Sequence, residues 1–164
     1  MHWLLTLVAK LPLGFLQGFG ACIGELVFWL SPGYRRRTRD NLRHAGYNEA
    51  KFFTKVGRNA GRQSMESIWV WYRPTKAVLS RVKISPQAEH IIGSAMTSGR
   101  PIVFLTPHVG CFEILPVWLA GTHYEKTGRR ITILYRPPRK EILRAVVGEA
   151  RQARCRQTWL ASSM

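Results

Sequence analysis

Acidic residues are scarce in this chain: nine aspartates and glutamates stand against 25 lysines and arginines in 164 residues, a formal net charge of +16. The resulting field favours phosphate-bearing partners, and both nucleic acid and anionic lipid qualify. The chain has no RNP-like aromatic stripe, zinc-ligand spacing or recognisable helix-turn-helix signature, so nucleic acid is not expected. Cysteine is also sparse. Cys22, Cys111 and Cys155 are odd in number, far apart and without a CxxC pair, which argues against a disulfide framework or a zinc site and fits a reducing cytosolic environment. No internal repeat or low-complexity tract is visible. A secretory signal is missing too, since no basic residue precedes the amino-terminal apolar stretch and no small-x-small site ends it; the stretch is expected to be retained.

What the chain does have is apolar material: 46% hydrophobic residues, with six Trp, five Tyr and seven Phe, suffice for the core of one ordinary domain. The first 30 residues carry only two charges, Lys10 and Glu25, and membrane contact is expected of them. The uncharged run from Leu11 to Gly24 is 14 residues, short of the ~20 needed to span a bilayer, so spanning, re-entrant and flat-lying arrangements all stay open. Gly14 and Gly18, then Gly20 and Gly24, repeat the GxxxG spacing that permits close helix approach in lipid; a loosely helical apolar arm is the plainer reading. Next comes SPGYRRRTRDNLRHAGYN, with Arg35, Arg36, Arg37, Arg39 and Arg43. Such charge beside an apolar segment marks the cytoplasmic side and attracts anionic head groups at roughly 1 kcal/mol per basic residue, although a solvated helix face has the same composition.

Three regions follow: a membrane-associated segment over 1–30, a basic helical region over 31–84, and a third region over 85–164. Phe52, Val56 and Ala60 predict a helix from Asn48 to Trp71. The third region opens at Ser85 and Pro86 with a helix ended by Gly99, then the apolar run PIVFLT, Pro101 to Thr106, predicted as a buried strand. A helix from about Cys111 to Ala120, the strand ITILY from Ile131 to Tyr135 and an amphipathic helix with Ile142, Val146 and Ala150 complete it. Two strands separated by a helix predict an α/β fold with a partial, mainly parallel sheet flanked by helices, its site beyond the carboxyl ends of the strands.

Two motifs fall at those ends, LTPHVGCFE (105–113) and ILYRPPRK (133–140). The HxxxxE spacing is weak by itself, since His44 and Glu49 repeat it in a polar turn. Context distinguishes His108 and Glu113: an apolar run, Thr106 and Pro107, Gly110 for a tight turn, then a helix start. Residues five apart on an ideal helix are about 140° apart around its axis, so His108 must sit on the turn if Glu113 is to reach it. Glu113 in the first helical turn would then orient the imidazole and stabilise its charged form as the other ring nitrogen takes a proton. Backbone N–H groups near Gly110 and Cys111 are candidates to bind a developing oxyanion. The chemistry suited to this set is activation of a hydroxyl for acyl transfer. Cys111, three residues from His108, is a rival nucleophile. Direct attack by an acceptor hydroxyl needs no covalent intermediate, so Cys111→Ala is expected to leave acyl transfer largely intact; abolished turnover would reverse that ranking.

TPHVGCFE and YRPPRK together resemble the signature blocks of the late acyltransferases of lipid A biosynthesis, the lauroyl and myristoyl transferases of the lysophospholipid acyltransferase superfamily. The resemblance runs from the apolar amino terminus and the arginine-rich segment, through Asn41 and Leu42, to about Ala150. It implies a glycerolipid acyltransferase-like fold and an O-acyltransferase on the cytoplasmic face of the inner membrane of a Gram-negative cell. The enzyme would move a fatty acyl group from acyl carrier protein to a hydroxyl of a lipid A precursor, with anionic lipids around it. It implies His108 as the base, Glu113 as its acidic partner, Arg136 as an acceptor- or phosphate-binding residue and Arg139 as a weaker one of the same kind, and neither cofactor nor metal. Members ordinarily continue well beyond the YRPPR block, and RQARCRQTWLASSM does not resemble that continuation, so 85–164 is expected to be the amino-terminal part of the acyltransferase domain. Two alternatives are another lysophospholipid or glycerolipid acyltransferase and an inactive basic membrane-binding remnant. The first would usually show an asparagine before the histidine and a serine shortly after it, and neither is present.

Overall fold

The computed structural model describes residues 2–107, 109–124, 131–135, 138, 141–155 and 158–161. His108, Arg136 and Arg139 lie outside the described residues. The chain divides into two compact units, Trp3–Trp69 and Val70–Met164, with His2 belonging to the second.

The first unit is helical. The apolar amino terminus is two helices, α1 (His2–Ala9) and α2 (Leu13–Leu30), divided by a turn ending at Pro12, which precedes the first residue of α2. Pro32 occupies the first turn of α3 (Pro32–His44), where its missing N–H costs no hydrogen bond. The next helix, α4 (Ala50–Tyr72), runs from this unit into the second. Leu16, Gly20, Ala21, Gly24 and Phe28 are the buried residues of α2. They mark one face, because positions four apart stack on a helix. That face meets α4 at four glycines. A methyl on Gly20 would overlap the carbonyl oxygen of Gly61 and one on Gly24 that of Gly57; a methyl on Gly57 would stand 2.8 Å from Phe28 Cβ. The second glycine pair, Gly57 and Gly61, is a GxxxG that the sequence analysis did not single out. Polar contacts run in the same reversed order. Gln17 donates to Glu66 at 2.7 Å, and Arg58 donates to Glu25 at 2.5 Å. The helices are therefore antiparallel, and the one carboxylate of α2 meets a guanidinium. At the far end Phe28 packs edge-on to Tyr34 of α3.

The second unit begins with the end of α4 and continues through α5 (Thr75–Leu79) and α6 (Pro86–Thr97). Ser85 caps α6 by accepting from Ala88 N–H at 3.2 Å, and Gly99, at φ +70°, follows its end. Beyond lie α7 (Ile114–Leu119), a π-helical turn (Ala120–Tyr124), β1 (Thr132–Tyr135), α8 (Glu141–Cys155) and β2 (Thr158–Ala161). The core of this unit gathers Val78, Val117, Trp118, Leu119, Val146 and Ala150.

The expected α/β class, with its partial parallel sheet flanked by helices, is not what forms. The chain is mostly helical, and the β structure among the described residues is one ladder of four residue pairs between β1 and β2. Residues 101–107 have no regular structure, and Val103 and Leu105 are 84% and 92% exposed. A strand is completed by a neighbour that takes up its backbone groups, and the ladder of β1 and β2 leaves 101–106 out. An apolar, β-branched run supplies the propensity but not the partner.

Candidate active site

The surroundings of Glu113 are assembled in the second unit from the last turn of α4, the turn ahead of α7, and α8. Val109 N–H donates to Pro107 O at 2.8 Å, and Gly110 follows with φ +60°, a conformation that suits glycine. Phe112 N–H donates to Gly110 O at 3.0 Å, Ile114 N–H donates to Cys111 O at 3.1 Å, and α7 then begins. Glu113 is thus the residue that precedes α7, not a member of its first turn, and its side chain makes no capping bond.

The Glu113 carboxylate turns inward and is 4% exposed. Arg151 of α8 grips it with two donors, Nε to Oε2 at 3.0 Å and Nη2 to Oε1. Trp71 Nε1, from the end of α4, donates to the same Oε2 at 3.1 Å. The guanidinium carbon of Arg151 also lies 5.9 Å from the centre of the Trp71 ring. Three N–H groups from two helices therefore converge on one buried carboxylate. This is a bidentate, charge-assisted arrangement that fixes the carboxylate in position and orientation. Next to Trp71, the Tyr72 phenol is pushed above its ordinary range by burial and, secondarily, by the negative charge of Glu149. Cys111 is half-buried and outside any disulfide. No group of three or more His, Cys, Asp or Glu side chains suited to a metal occurs among the described residues.

Of the residues proposed from sequence, Glu113 is the one whose surroundings are described; His108, Arg136 and Arg139 are not. Neither Arg151 nor Trp71 was recognised from sequence as a partner of Glu113. They stand 38 and 42 residues from Glu113, and no local spacing connects the three. One signal was available in α8. Arg151 follows Ala150 directly, and Val146 and Ala150 are buried positions of that helix, so the arginine borders its apolar stripe.

A family model described as bacterial lipid A biosynthesis acyltransferase matches residues 2–157. No curated protein and no solved structure matches the chain.

Proposed function

The chain belongs to the bacterial lipid A biosynthesis acyltransferase family, a family of O-acyltransferase enzymes with an acyl donor and a lipid acceptor, and we propose that it transfers a fatty acyl group from acyl carrier protein to a hydroxyl of a lipid A precursor. The observation that carries this reading is the family match, which spans both the TPHVGCFE and YRPPRK blocks. In the proposed step His108 removes the proton of the acceptor hydroxyl as its oxygen attacks the thioester carbonyl. The C–O bond forms, the C–S bond breaks, and the thiol of the carrier protein leaves with a proton returned from the imidazolium. Glu113 orients His108, and the grip of Arg151 and Trp71 supports that role, since an orienting carboxylate must itself be held still. Arg136 places the anionic acceptor, with Arg139 as a secondary contact. Neither a metal nor an organic cofactor enters this scheme.

The family is membrane-associated in general, and α2 is long and apolar enough to cross a bilayer by length and composition. Our reading places the enzyme on the cytoplasmic face of the inner membrane, where both donor and precursor are accessible. The test is transfer of labelled acyl chain from acyl carrier protein to lipid A precursor by membranes containing the 164-residue chain, beside a His108→Ala control. Turnover is expected to fall by roughly 10²- to 10⁴-fold in the control. Equal turnover in the two would remove His108 from the mechanism. No transfer by either, with the protein folded and membrane-bound, would favour a binding role without chemistry.

A further inference from the structure

The first unit determines how α2 meets a bilayer. Its buried stripe faces α4, and the residues left over are apolar as well: Phe15, Phe19, Ile23, Leu26 and Leu30 are all exposed, Leu30 by 72%. A helix with an unpartnered apolar face and length enough to span invites a transmembrane reading. The companion helix contradicts it. From Gln17 opposite Glu66, through Gly20 opposite Gly61, to Glu25 opposite Arg58, α4 runs antiparallel beside α2. Near those glycine contacts α4 carries Lys55, Arg58, Asn59, Arg62 and Gln63, of which Lys55, Asn59 and Arg62 are exposed. A spanning α2 would extend about 27 Å and carry these groups to the middle of the hydrocarbon, where exposed cations are strongly disfavoured.

The charge at the end of α2 points the same way. Arg35 donates to Trp29 O at 2.6 Å, with its guanidinium carbon 5.8 Å from the Trp29 ring centre, and Arg36, Arg37 and Arg43 of α3 are exposed nearby in sequence. A half-exposed tryptophan backed by arginines suits the headgroup layer, where an amphipathic ring and cations are both favoured.

We propose that α2 lies flat within a single leaflet of an anionic bilayer, its Phe15–Phe19–Ile23–Leu26 stripe in the acyl region and the cations of α3 and α4 at the level of the phosphates. This rests on the membrane association of the family and not on the reaction, and neither readout below requires turnover, so loss of the acyl-transfer reading would leave it standing.

Depth measurement on the full chain tests it. With Cys22, Cys111 and Cys155 replaced by serine, single probes are introduced as Phe15→Cys, Ile23→Cys and Leu30→Cys. Each is labelled with an environment-sensitive fluorophore, and the protein is bound to vesicles of phosphatidylethanolamine and phosphatidylglycerol. Nitroxides at shallow and deep acyl positions should quench all three alike, the shallow ones more strongly. A probe at position 23 that lies deepest, with 15 and 30 at opposite surfaces, would overturn the proposal, as would the absence of quenching at every site. In otherwise unaltered protein, Arg36→Gln/Arg37→Gln/Arg43→Gln should lower partition into these vesicles by roughly a hundredfold, about fivefold per residue, and phosphatidylcholine vesicles should bind the parent chain comparably weakly. Unchanged partition would overturn the electrostatic half of the assignment.

Discussion

Arg151→Met is expected to destabilise the protein by about 3–5 kcal/mol and to reduce acyl transfer at least about a hundredfold. The stability loss follows from what remains behind. Glu113 is 4% exposed, and without the guanidinium its charge keeps, among the described residues, one donor, Trp71 Nε1. Removing one partner of a buried ion pair strands the other, at a cost of about 3–5 kcal/mol, a large part of the 5–15 kcal/mol by which domains are typically stable. At about 2–4 °C per kcal/mol for a chain of this size, the midpoint of thermal unfolding should drop by roughly 10 °C. The activity loss rests on the proposed role of Glu113 as the group that orients His108. The double variant Glu113→Leu/Arg151→Met separates the two effects, because an apolar pair of similar volume removes both charges together. Circular dichroism should show it recovering most of the stability, while acyl transfer stays low. A double variant with parental turnover would show that the pair is structural and that Glu113 has no part in the reaction.

The second large effect concerns the glycine crossing in the first unit. Gly61→Ala is expected to destabilise by about 1–3 kcal/mol, although alanine gains up to about 1 kcal/mol in helix propensity. The added methyl would overlap the carbonyl oxygen of Gly20 and come within 2.9 Å of Gly24 Cα, and backbone atoms in two helices cannot yield without separating the helices. Gly18 is the control. Nothing lies within 4 Å of a methyl built there, so Gly18→Ala should express the propensity gain and stabilise by up to about 1 kcal/mol. Opposite shifts of the denaturation midpoint would establish the crossing; equal shifts would mean that the helices are not in such close approach.

These two features were legible to different degrees. Gly20 and Gly24 were recognisable as a close-approach pair, but their partner was sought in lipid. It is instead GRNAG within α4, a segment too rich in arginine and asparagine to suggest helix contact. Several helix boundaries follow from punctuation: Pro32, the Ser85 cap and Gly99 mark ends that the structure keeps, whereas the division of the apolar amino terminus at Pro12 was not read from the sequence. The parallel sheet failed because strand formation is a pairwise property. PIVFLT has the composition of a buried strand, yet it stands outside the one ladder formed among the described residues, in which β1 pairs with Thr158–Ala161, a stretch assigned no structure from sequence. Around Glu113, the HxxxxE context singled out the residue that the structure buries. The two residues holding it come from helices far along the chain in either direction, and tertiary packing alone joins them.

The ion pair between Glu25 and Arg58 also sets an order of events. These residues are 33 apart, so during synthesis α2 exists with an uncompensated carboxylate in its apolar surface until α4 has been made. The same holds for the glycine crossing, whose second half arrives with Gly57 and Gly61. Under the flat-lying arrangement proposed above, the apolar stripe is present as soon as α2 is made, but the compensation of Glu25 and the close glycine crossing wait until α4 has been translated.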